Sequence, residues 1–320
     1  MMRLAVALMT DEVGWHTRQL QAALRARGGV GRCVDLADCR IDTTAARHGL
    51  VIPGFTRELP DAVLVRGIAG GSFEQVTKRL GVLHALRELG VPVYNDARAI
   101  ERSVDKSMTS LLLHAAGVPT PPTWATESIA EARRIAVRAG AAGHALVLKP
   151  LFGSQGKGLQ LVGDVGGAHH ALPASLEAFG GLAYLQRFVP PLAVPGFDWR
   201  VLVVGGRAVT AMRRVSEHWV HNVAQGAQCE PTLLTPELRG CAERAAAALG
   251  MDYAGVDLIP TRHADPATCD AQGIQVIEVN GVAAWQGLQR VTGFNIARAL
   301  VDDLIYRKLR GARADVASVA

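Results

Sequence analysis

The chain has 320 residues, of which 49% are hydrophobic and 5% aromatic, and its formal net charge is +5. A chain of this size buries more than one core, so we expect two or three lobes. The arginines are scattered and no basic-aromatic alternation accompanies them, which argues against a nucleic-acid partner; a basic cleft for anionic substrates explains the excess charge.

No run of the sequence approaches the roughly 20 apolar residues of a membrane span. The N-terminal MRLAVALM is too short and too poorly flanked for a signal peptide. We therefore expect a soluble, cytoplasmic protein without a membrane partner.

Residues 1–98 alternate strand-like and helical patterns, which predicts an open α/β domain. The predicted strands are Leu4–Met9, Ala62–Val65 and Val91–Tyr94, and the predicted helices are Thr17–Arg27 and Phe73–Leu89. Arg66 follows the second of these strands, just before a glycine turn. An arginine there is well placed to bind a substrate carboxylate with its two-pronged guanidinium, although a structural salt bridge is an equal alternative.

Two further lobes and a tail are predicted in the rest of the chain. Residues 99–185 contain a helix at Lys106–Ala116, ended by Gly117 and PTPP, and a second helix at Ile129–Ala139. Residues 186–310 end in a helix at Ile296–Arg310, and residues 311–320 are expected to fray.

The segment Leu146–Gly158, LVLKPLFGSQGKG, is a short apolar run followed by a glycine-rich loop. Such a loop can turn its backbone N–H groups toward phosphate oxygens, with lysines supplying positive charge. A P-loop is excluded because Leu159 stands where its lysine is required. An ordinary exposed turn is the competing interpretation, but the chain uses arginine for most of its cations and places three of its five lysines in candidate nucleotide segments.

Two apolar runs near the C-terminus, Gly255–Pro260 and Gln275–Trp285, contain acids. The loop between them is rich in Asp, Pro and Gly, which predicts that they pair as a long hairpin. Glu278 and Asn280 then share a face and approach Asp257. Two carboxylates and an amide oxygen suit Mg²⁺. The alternative is that the acids form structural salt bridges with arginines, since a buried acid needs either a metal ion or a cationic side chain as its partner.

Other features of the sequence indicate no metal or redox chemistry. Five cysteines without a C-x-x-C spacing favour reduced thiols over zinc or disulfides. His218 and His221 stand in a loop rather than in a closed ligand set, which favours substrate contact or surface exposure.

Several segments together resemble the ATP-grasp ligases, and within them the RimK group of α-L-glutamate ligases. They stand in the family's order between about Tyr94 and Tyr306. The matching segments are Tyr94–Trp124, Val147–Val162, Gln186–Pro190, Asp198–Arg214, His221–Ala227, Tyr253–Ile259 and Val276–Asn280. The resemblance implies an ATP-grasp architecture, α+β in the grasp lobes, behind the N-terminal α/β domain.

The resemblance also implies a role for each matching residue. ATP phosphates are assigned to Lys106 and Lys149 under a loop of Ser154, Gly156, Lys157 and Gly158, and adenine to Gln186, Phe188 and Val189. Mg²⁺, with Mn²⁺ as an alternative, is assigned to Asp257, Glu278 and Asn280. Catalysis is assigned to Arg200, Asn222 and Lys149, and substrate contacts to Arg66, Arg200 and Arg213. Because only a metal is expected to offset the acids, Asp257→Asn or Glu278→Gln is expected to leave the melting temperature of the unliganded protein nearly unchanged or to raise it.

Two departures from the family concern the acceptor. Gly281–Trp285 replaces the usual Ser-Pro-Gly turn after the metal asparagine, and Gln225-Gly226-Ala227 replaces an Arg-Gly-Gly that follows the phosphate-side asparagine. The resemblance implies an ADP-forming carboxylate-amine ligase working through an acyl phosphate, with small-molecule carboxylate and amine substrates. An amino acid such as L-glutamate is the expected amine and a pterin-type or furan-type cofactor the preferred acceptor; a homo-oligomer is left open.

Three other functions compete with this interpretation. A D-alanine-type dipeptide ligase is the nearer enzymatic alternative, and a regulatory module that binds ATP without turnover is the alternative from another class. The presence of both lysines and all three metal-type side chains argues against such a decayed enzyme. A dehydrogenase is disfavoured because the first lobe lacks a G-x-G-x-x-G turn.

Overall fold

The computed structural model describes residues 4–44, 48–55, 58–153, 155–262 and 273–311. Their strands form three larger sheets and one two-stranded sheet. The three larger sheets follow one another along the chain, the first parallel and the other two antiparallel.

The first lobe is an open α/β sandwich, as predicted. Its elements are β1 (Ala5–Met9), α1 (Trp15–Ala26), β2 (Val30–Val34), β3 (Arg40–Ile41), β4 (Leu50–Val51), β5 (Ala62–Val65), α2 (Phe73–Glu88) and β6 (Val93–Tyr94). The parallel sheet has the order β2-β1-β5-β6, and β3 pairs with β4 separately. Alternate residues of β1 contact α1 and α2, so the two helices cover opposite faces.

The middle lobe is an antiparallel sheet covered by a helix. Its elements are α3 (Ala97–Val104), α4 (Lys106–Ala115), β7 (Thr123–Thr126), α5 (Ile129–Ala141), β8 (Leu146–Lys149), β9 (Gln160–Val165), β10 (Ala168–His170), a 3₁₀ turn at Glu177–Phe179, and β11 (Ala183–Arg187). The strand order is β10-β9-β8-β11-β7, and α5 packs on this sheet. Helix α3, which the sequence did not predict, crosses the expected lobe boundary at residue 98.

The last lobe holds the longest strands. Its elements are β12 (Gly196–Val204), β13 (Arg207–Ser216), a 3₁₀ turn at Val223–Gln225, β14 (Gln228–Pro231), α6 (Pro236–Leu249), β15 (Tyr253–Pro260), β16 (Ile274–Asn280), α7 (Gln286–Arg290) and α8 (Ile296–Asp303), which continues as a π-helix at Leu304–Leu309. The strand order is β14-β13-β12-β15-β16, which confirms the predicted hairpin of β15 and β16. The closing helix begins at the predicted Ile296; residues 312–320 lie outside the described residues.

The first and last lobes share a hydrophobic core. Side chains of β1 and α1 pack in one cluster with those of β12, α7 and α8. Tyr94 at the end of β6 stacks on Tyr253 at the start of β15, with ring centroids 5.4 Å apart. The opposite face of the last sheet packs on α6 in a second core. The strand that carries Asp257, β15, is therefore buried along its length, whereas β16, which carries Glu278 and Asn280, is only partly buried.

Two observations concern the surface and the thiols. None of the described helices combines the length and the apolar character that a membrane crossing needs. Cys33, Cys39, Cys229 and Cys241 form no disulfide with one another, and Cys269 lies outside the described residues.

Asn95 joins the first lobe to the last through four hydrogen bonds. Its amide nitrogen donates to the carbonyl oxygens of Tyr253, at 2.7 Å, and Gly281, at 2.6 Å. Its amide oxygen accepts the backbone N–H groups of Asp252, at 2.7 Å, and Tyr253, at 3.0 Å. The side chain is fully buried, so these backbone groups have no water to replace it.

Asn95→Ala is expected to lower the free energy of unfolding by about 3 kcal/mol or more, because several buried polar groups lose their partner at once. Asn295→Ala is the matched control. Asn295 is an exposed N-cap of α8 whose side chain accepts the N–H of Arg298 at 2.9 Å, so its loss is expected to cost only about 1 kcal/mol. Urea unfolding followed by circular dichroism measures both; equal losses would show that the Asn95 bonds contribute nothing special.

Candidate active site

A cavity of about 880 Å³, including its open mouth, lies between the middle and last sheets. This is within the usual size of a small-molecule site. Ten of the residues predicted from the sequence line it: Lys106, Lys149, Gly156, Lys157, Gln186, Phe188, Val189, Asn222, Asp257 and Glu278. The fold thus brings together side chains that are as far apart as 172 residues in the sequence (278 − 106).

Two lysines form the cationic side of the cavity. The Lys149 ammonium, at the end of β8, donates to the side-chain oxygen of Gln186 on β11 at 2.6 Å. Burial lowers the pKa of Lys149 to about 8, against the attraction of Glu278, and neighbouring Lys106 adds to the lowering. Lys106 begins α4 and donates to the Gly153 carbonyl at 2.7 Å. Both ammonium groups therefore face the cavity with few anionic partners.

The glycine-rich loop contacts a loop of the last lobe. Gly156 has a φ of +70°, and a Cβ there would lie 2.7 Å from both Asn222 Oδ1 and Val220 Cγ1. The side-chain amide of Gln225 also donates to the Gln155 carbonyl at 3.2 Å. Only glycine allows this approach at position 156. Ser154, predicted to bind phosphate, lies outside the described residues.

The predicted acids and amide converge beside the lysines; Asp257 and Glu278 line the cavity, and Asn280 adjoins Asp257. Asp257 and Glu278 are register partners on β15 and β16. The Asn280 amide nitrogen donates to the Gly255 carbonyl at 3.1 Å and lies 3.5 Å from Asp257 Oδ2. The Glu278 carboxylate is 3.8 Å from the Lys106 ammonium. The sequence-based expectation that these three side chains meet is confirmed.

Asp257 belongs to a buried cluster of two arginines and two aspartates. Arg200 on β12 binds both oxygens of Asp257, one of them through Nη2 at 2.8 Å. Arg214 on β13 binds both oxygens of Asp198, at 2.7 and 2.6 Å, and lies 3.0 Å from Asp257. Burial tends to raise the pKa of Asp257, but Arg200 and Arg214 hold it below its ordinary value. Two guanidinium groups thus already compensate Asp257.

This cluster corrects one expectation. Asp257 was expected to be offset only by a metal ion, so that its neutralisation would leave the unliganded protein unchanged. The structure instead makes it the shared partner of two buried arginines, and its neutralisation leaves them uncompensated. Glu278 is partly exposed and keeps the original expectation.

The donor set still fits a hard cation such as Mg²⁺. Asn280 uses its amide nitrogen in the hydrogen bonds given above, which leaves its side-chain oxygen available. Glu278 has only a distant lysine as a partner among the described residues, and Asp257 adjoins both. No group of three or more His, Cys, Asp or Glu side chains forms a metal site within the described ranges, so a metal here depends on the asparagine as well as the acids.

The three predicted substrate arginines are separated by the fold. Arg200 lies in the cluster, and its Nη1 is 3.5 Å from the Ala284 carbonyl. Arg66 reaches the same loop from the first lobe and donates to the Val282 carbonyl at 3.1 Å, while its buried Nε has no partner among the described residues. Arg213 pairs with Glu230 at 2.6 Å on the face of the sheet away from the cluster, so the structure does not bring it to the cavity.

Sequence reasoning missed three charged or aromatic residues that line the cavity: Asp198, Arg214 and Trp219. His221, for which it favoured substrate contact or surface exposure, also lines the cavity. Adjacent strand residues face opposite sides, so only one of Arg213 and Arg214 reaches the cavity. The sequence run gave no means to choose between them. His221 is buried, and burial followed by repulsion from Arg214 lowers its pKa to about 4, so it is neutral at pH 7. His218 is exposed.

The segment Gly281–Trp285, which replaces the usual Ser-Pro-Gly turn, ends in a tryptophan that packs against the first lobe. Trp285 is buried against Trp15 and His16 of α1, with ring centroids 4.8 and 4.9 Å away. The backbone N–H of Trp285 donates to His16 Nε2 at 3.1 Å. Burial, with a smaller effect of Arg66, lowers the pKa of His16 to about 4. The segment that departs from the family pattern is therefore fixed from both lobes.

Comparison with known proteins agrees with this geometry. Residues 103–304 match the RimK-like ATP-grasp domain and residues 2–100 match the RimK PreATP-grasp domain. The chain is 32% identical to a tetrahydromethanopterin:alpha-L-glutamate ligase of Methanosarcina acetivorans, over 95% of this chain and 99% of that protein. It is 31% identical to a probable alpha-L-glutamate ligase of Thioalkalivibrio sulfidiphilus, over 94% of each. Among solved structures, the ATP-grasp ligase PsnB with its minimal precursor is similar in fold, with a TM-score of 0.68 at 20% identity over 95% of this chain and 98% of that one.

The buried cluster predicts a difference between two otherwise similar substitutions. Asp257→Asn is expected to lower the free energy of unfolding by about 3 kcal/mol, since it leaves two buried arginines without a full counter-charge. Glu278→Gln, the matched control, is expected to change it by less than about 1 kcal/mol. Denaturant titrations without nucleotide or metal measure both. Equal effects of the two variants would contradict the assignment of Asp257 to the cluster.

Proposed function

The chain belongs to the RimK-like ATP-grasp ligase family, and we propose that it joins a carboxylate to an amine at the expense of Mg-ATP, releasing ADP and phosphate. The observation that carries the proposal is that Lys106 and Lys149 share one cavity with Asp257 and Glu278, and that Asn280 adjoins Asp257. Cations that neutralise phosphates and oxygens that hold a metal are the two requirements of phosphoryl transfer.

ATP is proposed to bind along the cavity with its phosphates next to the two lysines and the proposed metal ligands. Lys106 and Lys149 neutralise phosphate charge, and backbone N–H groups of the loop around Gly156, Lys157 and Gly158 approach the oxygens. Gln186, Phe188 and Val189 border the adenine. Ser154 stays a predicted contact of this loop.

The metal is proposed to sit on Glu278, Asn280 and Asp257, with Mg²⁺ as the expected ion and Mn²⁺ as an alternative. When bound, it supplies positive charge to the transferring phosphoryl oxygens. The chain itself contributes Arg200 beside Asp257, where a guanidinium can bind the same oxygens as charge develops on them.

The reaction is proposed to proceed in two displacements. An oxygen of the substrate carboxylate attacks the γ-phosphorus and ADP leaves, giving an acyl phosphate. The amine then attacks the acyl carbon, phosphate leaves and the amide forms. Arg200 and Asn222 adjoin the transferred group, and the contact between the two loops at Gly156 excludes water, which protects the acyl phosphate.

Arg66 is proposed to bind a substrate carboxylate on the far side of the loop that Arg200 contacts. Among the described residues its buried Nε has no hydrogen-bond partner, and a carboxylate supplies an acceptor for it. The relatives named as α-L-glutamate ligases support L-glutamate as the amine, and the methanopterin relative supports a small-molecule acceptor of the pterin or furan type. A cytoplasmic location and a homo-oligomeric state stay predictions.

The lowered pKa of Lys149 predicts a pH dependence of nucleotide binding. Phosphate anions favour the charged lysine and raise its pKa again, so binding of Mg-ADP at pH 8.5 is expected to take up protons. Affinity is expected to fall as the pH rises above about 8. The unliganded protein shows the opposite sign: its stability is expected to rise between about pH 8 and 10.5, because folding favours the neutral lysine.

Calorimetry in two buffers of different ionisation enthalpy measures the proton uptake. Lys149→Met is expected to abolish it. Lys308→Met, which removes a lysine paired with Asp252 away from the cavity, is the matched control and is expected to keep it. Absence of uptake by the unmodified protein would remove Lys149 from the phosphate site.

Product analysis tests the reaction class. With a panel of carboxylates and amines, ADP and phosphate are expected in equal amounts only when both substrates are present, and hydroxylamine in place of the amine is expected to trap a hydroxamate. AMP and pyrophosphate as products would exclude the mechanism. Tight ATP binding without product across the whole panel would favour the regulatory alternative.

Two arginine variants test the substrate side in the same assay. Arg66→Met is expected to raise the KM for a substrate by about tenfold or more, as the loss of a charge-assisted hydrogen bond does. Arg213→Met removes an arginine on the outer face of the sheet and is expected to leave the KM values unchanged. A larger effect of Arg213→Met would restore the prediction made for it from the sequence.

A further inference from the structure

An aromatic pair spans the two lobes at the cavity. Phe188 follows β11 of the middle lobe, and Trp219 stands in the loop after β13 of the last lobe. Their ring centroids are 5.7 Å apart and the rings are perpendicular. Both line the cavity and both are only half-buried. Neither belongs to a hydrophobic core of the described residues, so packing does not explain the pair.

The pair lies beside the charged groups rather than among them. Phe188 is two residues beyond Gln186, which binds Lys149, and Trp219 is three residues before Asn222, which meets the glycine-rich loop. The cavity lining also includes the apolar side chains of Val147, Val189 and Ile277. The cavity therefore has a charged region for phosphates and an adjoining apolar region bordered by two rings.

We propose that Trp219 is a nucleobase-binding residue, which stacks a free face of its ring on the base while Phe188 packs edge to face beside it, so that one ring from each lobe borders the nucleotide. The proposal rests on the proposed function, because it requires a nucleotide in this cavity. Perpendicular rings at an open cavity leave a π-face free for a planar guest, and every base has a matching face. A saturated or purely anionic ligand gains nothing from such a ring.

The loop that carries Trp219 is also tied to the glycine-rich loop. Val220 and Asn222 approach Gly156, and Gln225 binds the Gln155 carbonyl. The base-contacting ring and the phosphate-contacting loop are thus held on one connected surface. Trp219 was absent from the residues predicted for the adenine, which all came from the middle lobe and its end.

Binding of two ligands to Trp219→Leu tests the proposal: ADP, which has a base, and inorganic tripolyphosphate, which has none, both with Mg²⁺ and by calorimetry. The variant is expected to bind ADP about tenfold to a hundredfold more weakly, the range of base stacking, and tripolyphosphate as well as the unmodified protein does. Trp219→Phe is expected to bind ADP within about threefold of the unmodified protein, since the ring is kept. Trp199→Leu changes a tryptophan on the face of the last sheet that packs on α6, away from the cavity; it is the control and is expected to bind both ligands normally.

Each other outcome has a defined meaning. Unchanged ADP affinity in Trp219→Leu overturns the proposal while leaving the nucleotide site intact. Equal losses for ADP and tripolyphosphate also overturn it, because Trp219 then acts by shaping the loop. Failure of the unmodified protein to bind either ligand overturns the proposed function itself.

Discussion

The buried cluster of Asp198, Arg200, Arg214 and Asp257 is the constraint on which the rest of the site depends. Ions this deeply buried are tolerated only when each has a well-placed partner, and here two guanidinium groups and two carboxylates satisfy one another across three neighbouring strands. The alignment of β12, β13 and β15 is therefore tied to the position of Asp257. The same aspartate is a proposed metal ligand, so the charge balance of the core and the chemistry of the cavity share one residue.

The cavity combines two lysine ammonium groups, which repel each other, with the carboxylates of Asp257 and Glu278, which attract them. Burial and neighbouring Lys106 lower the pKa of Lys149, and Glu278 opposes that lowering. A nucleotide carrying phosphates and a metal supplies both missing partners at once. The contact of the two loops at Gly156 gives this charged region a cover made from both lobes.

Much of the fold followed from local patterns in the sequence. Alternating strand and helix patterns predicted the first lobe, and a loop rich in Asp, Pro and Gly between two apolar runs predicted the hairpin that brings Glu278 and Asn280 to Asp257. Arg214 and Asp198 could not be predicted, because which of two adjacent strand residues faces inward depends on pairing with strands distant in the chain. For the same reason Arg213, and not Arg214, was predicted to contact the substrate. Trp219 was not predicted because it stands in a loop whose sequence has no hydrophobic periodicity. The predicted lobe boundary at residue 98 falls inside α3, a helix too short to show a clear apolar repeat.

The central claim is that the reaction forms an acyl phosphate, and its most direct test is the transfer of ¹⁸O from the substrate carboxylate to the released phosphate. If an oxygen of the substrate carboxylate attacks the γ-phosphorus, a carboxylate labelled with ¹⁸O transfers one labelled oxygen to the phosphate when the amide forms. Mass spectrometry of the released phosphate, with a carboxylate that supports turnover, reads this transfer. One ¹⁸O in each phosphate is the predicted result. Unlabelled phosphate, or label recovered in AMP, would contradict an acyl phosphate formed in this cavity.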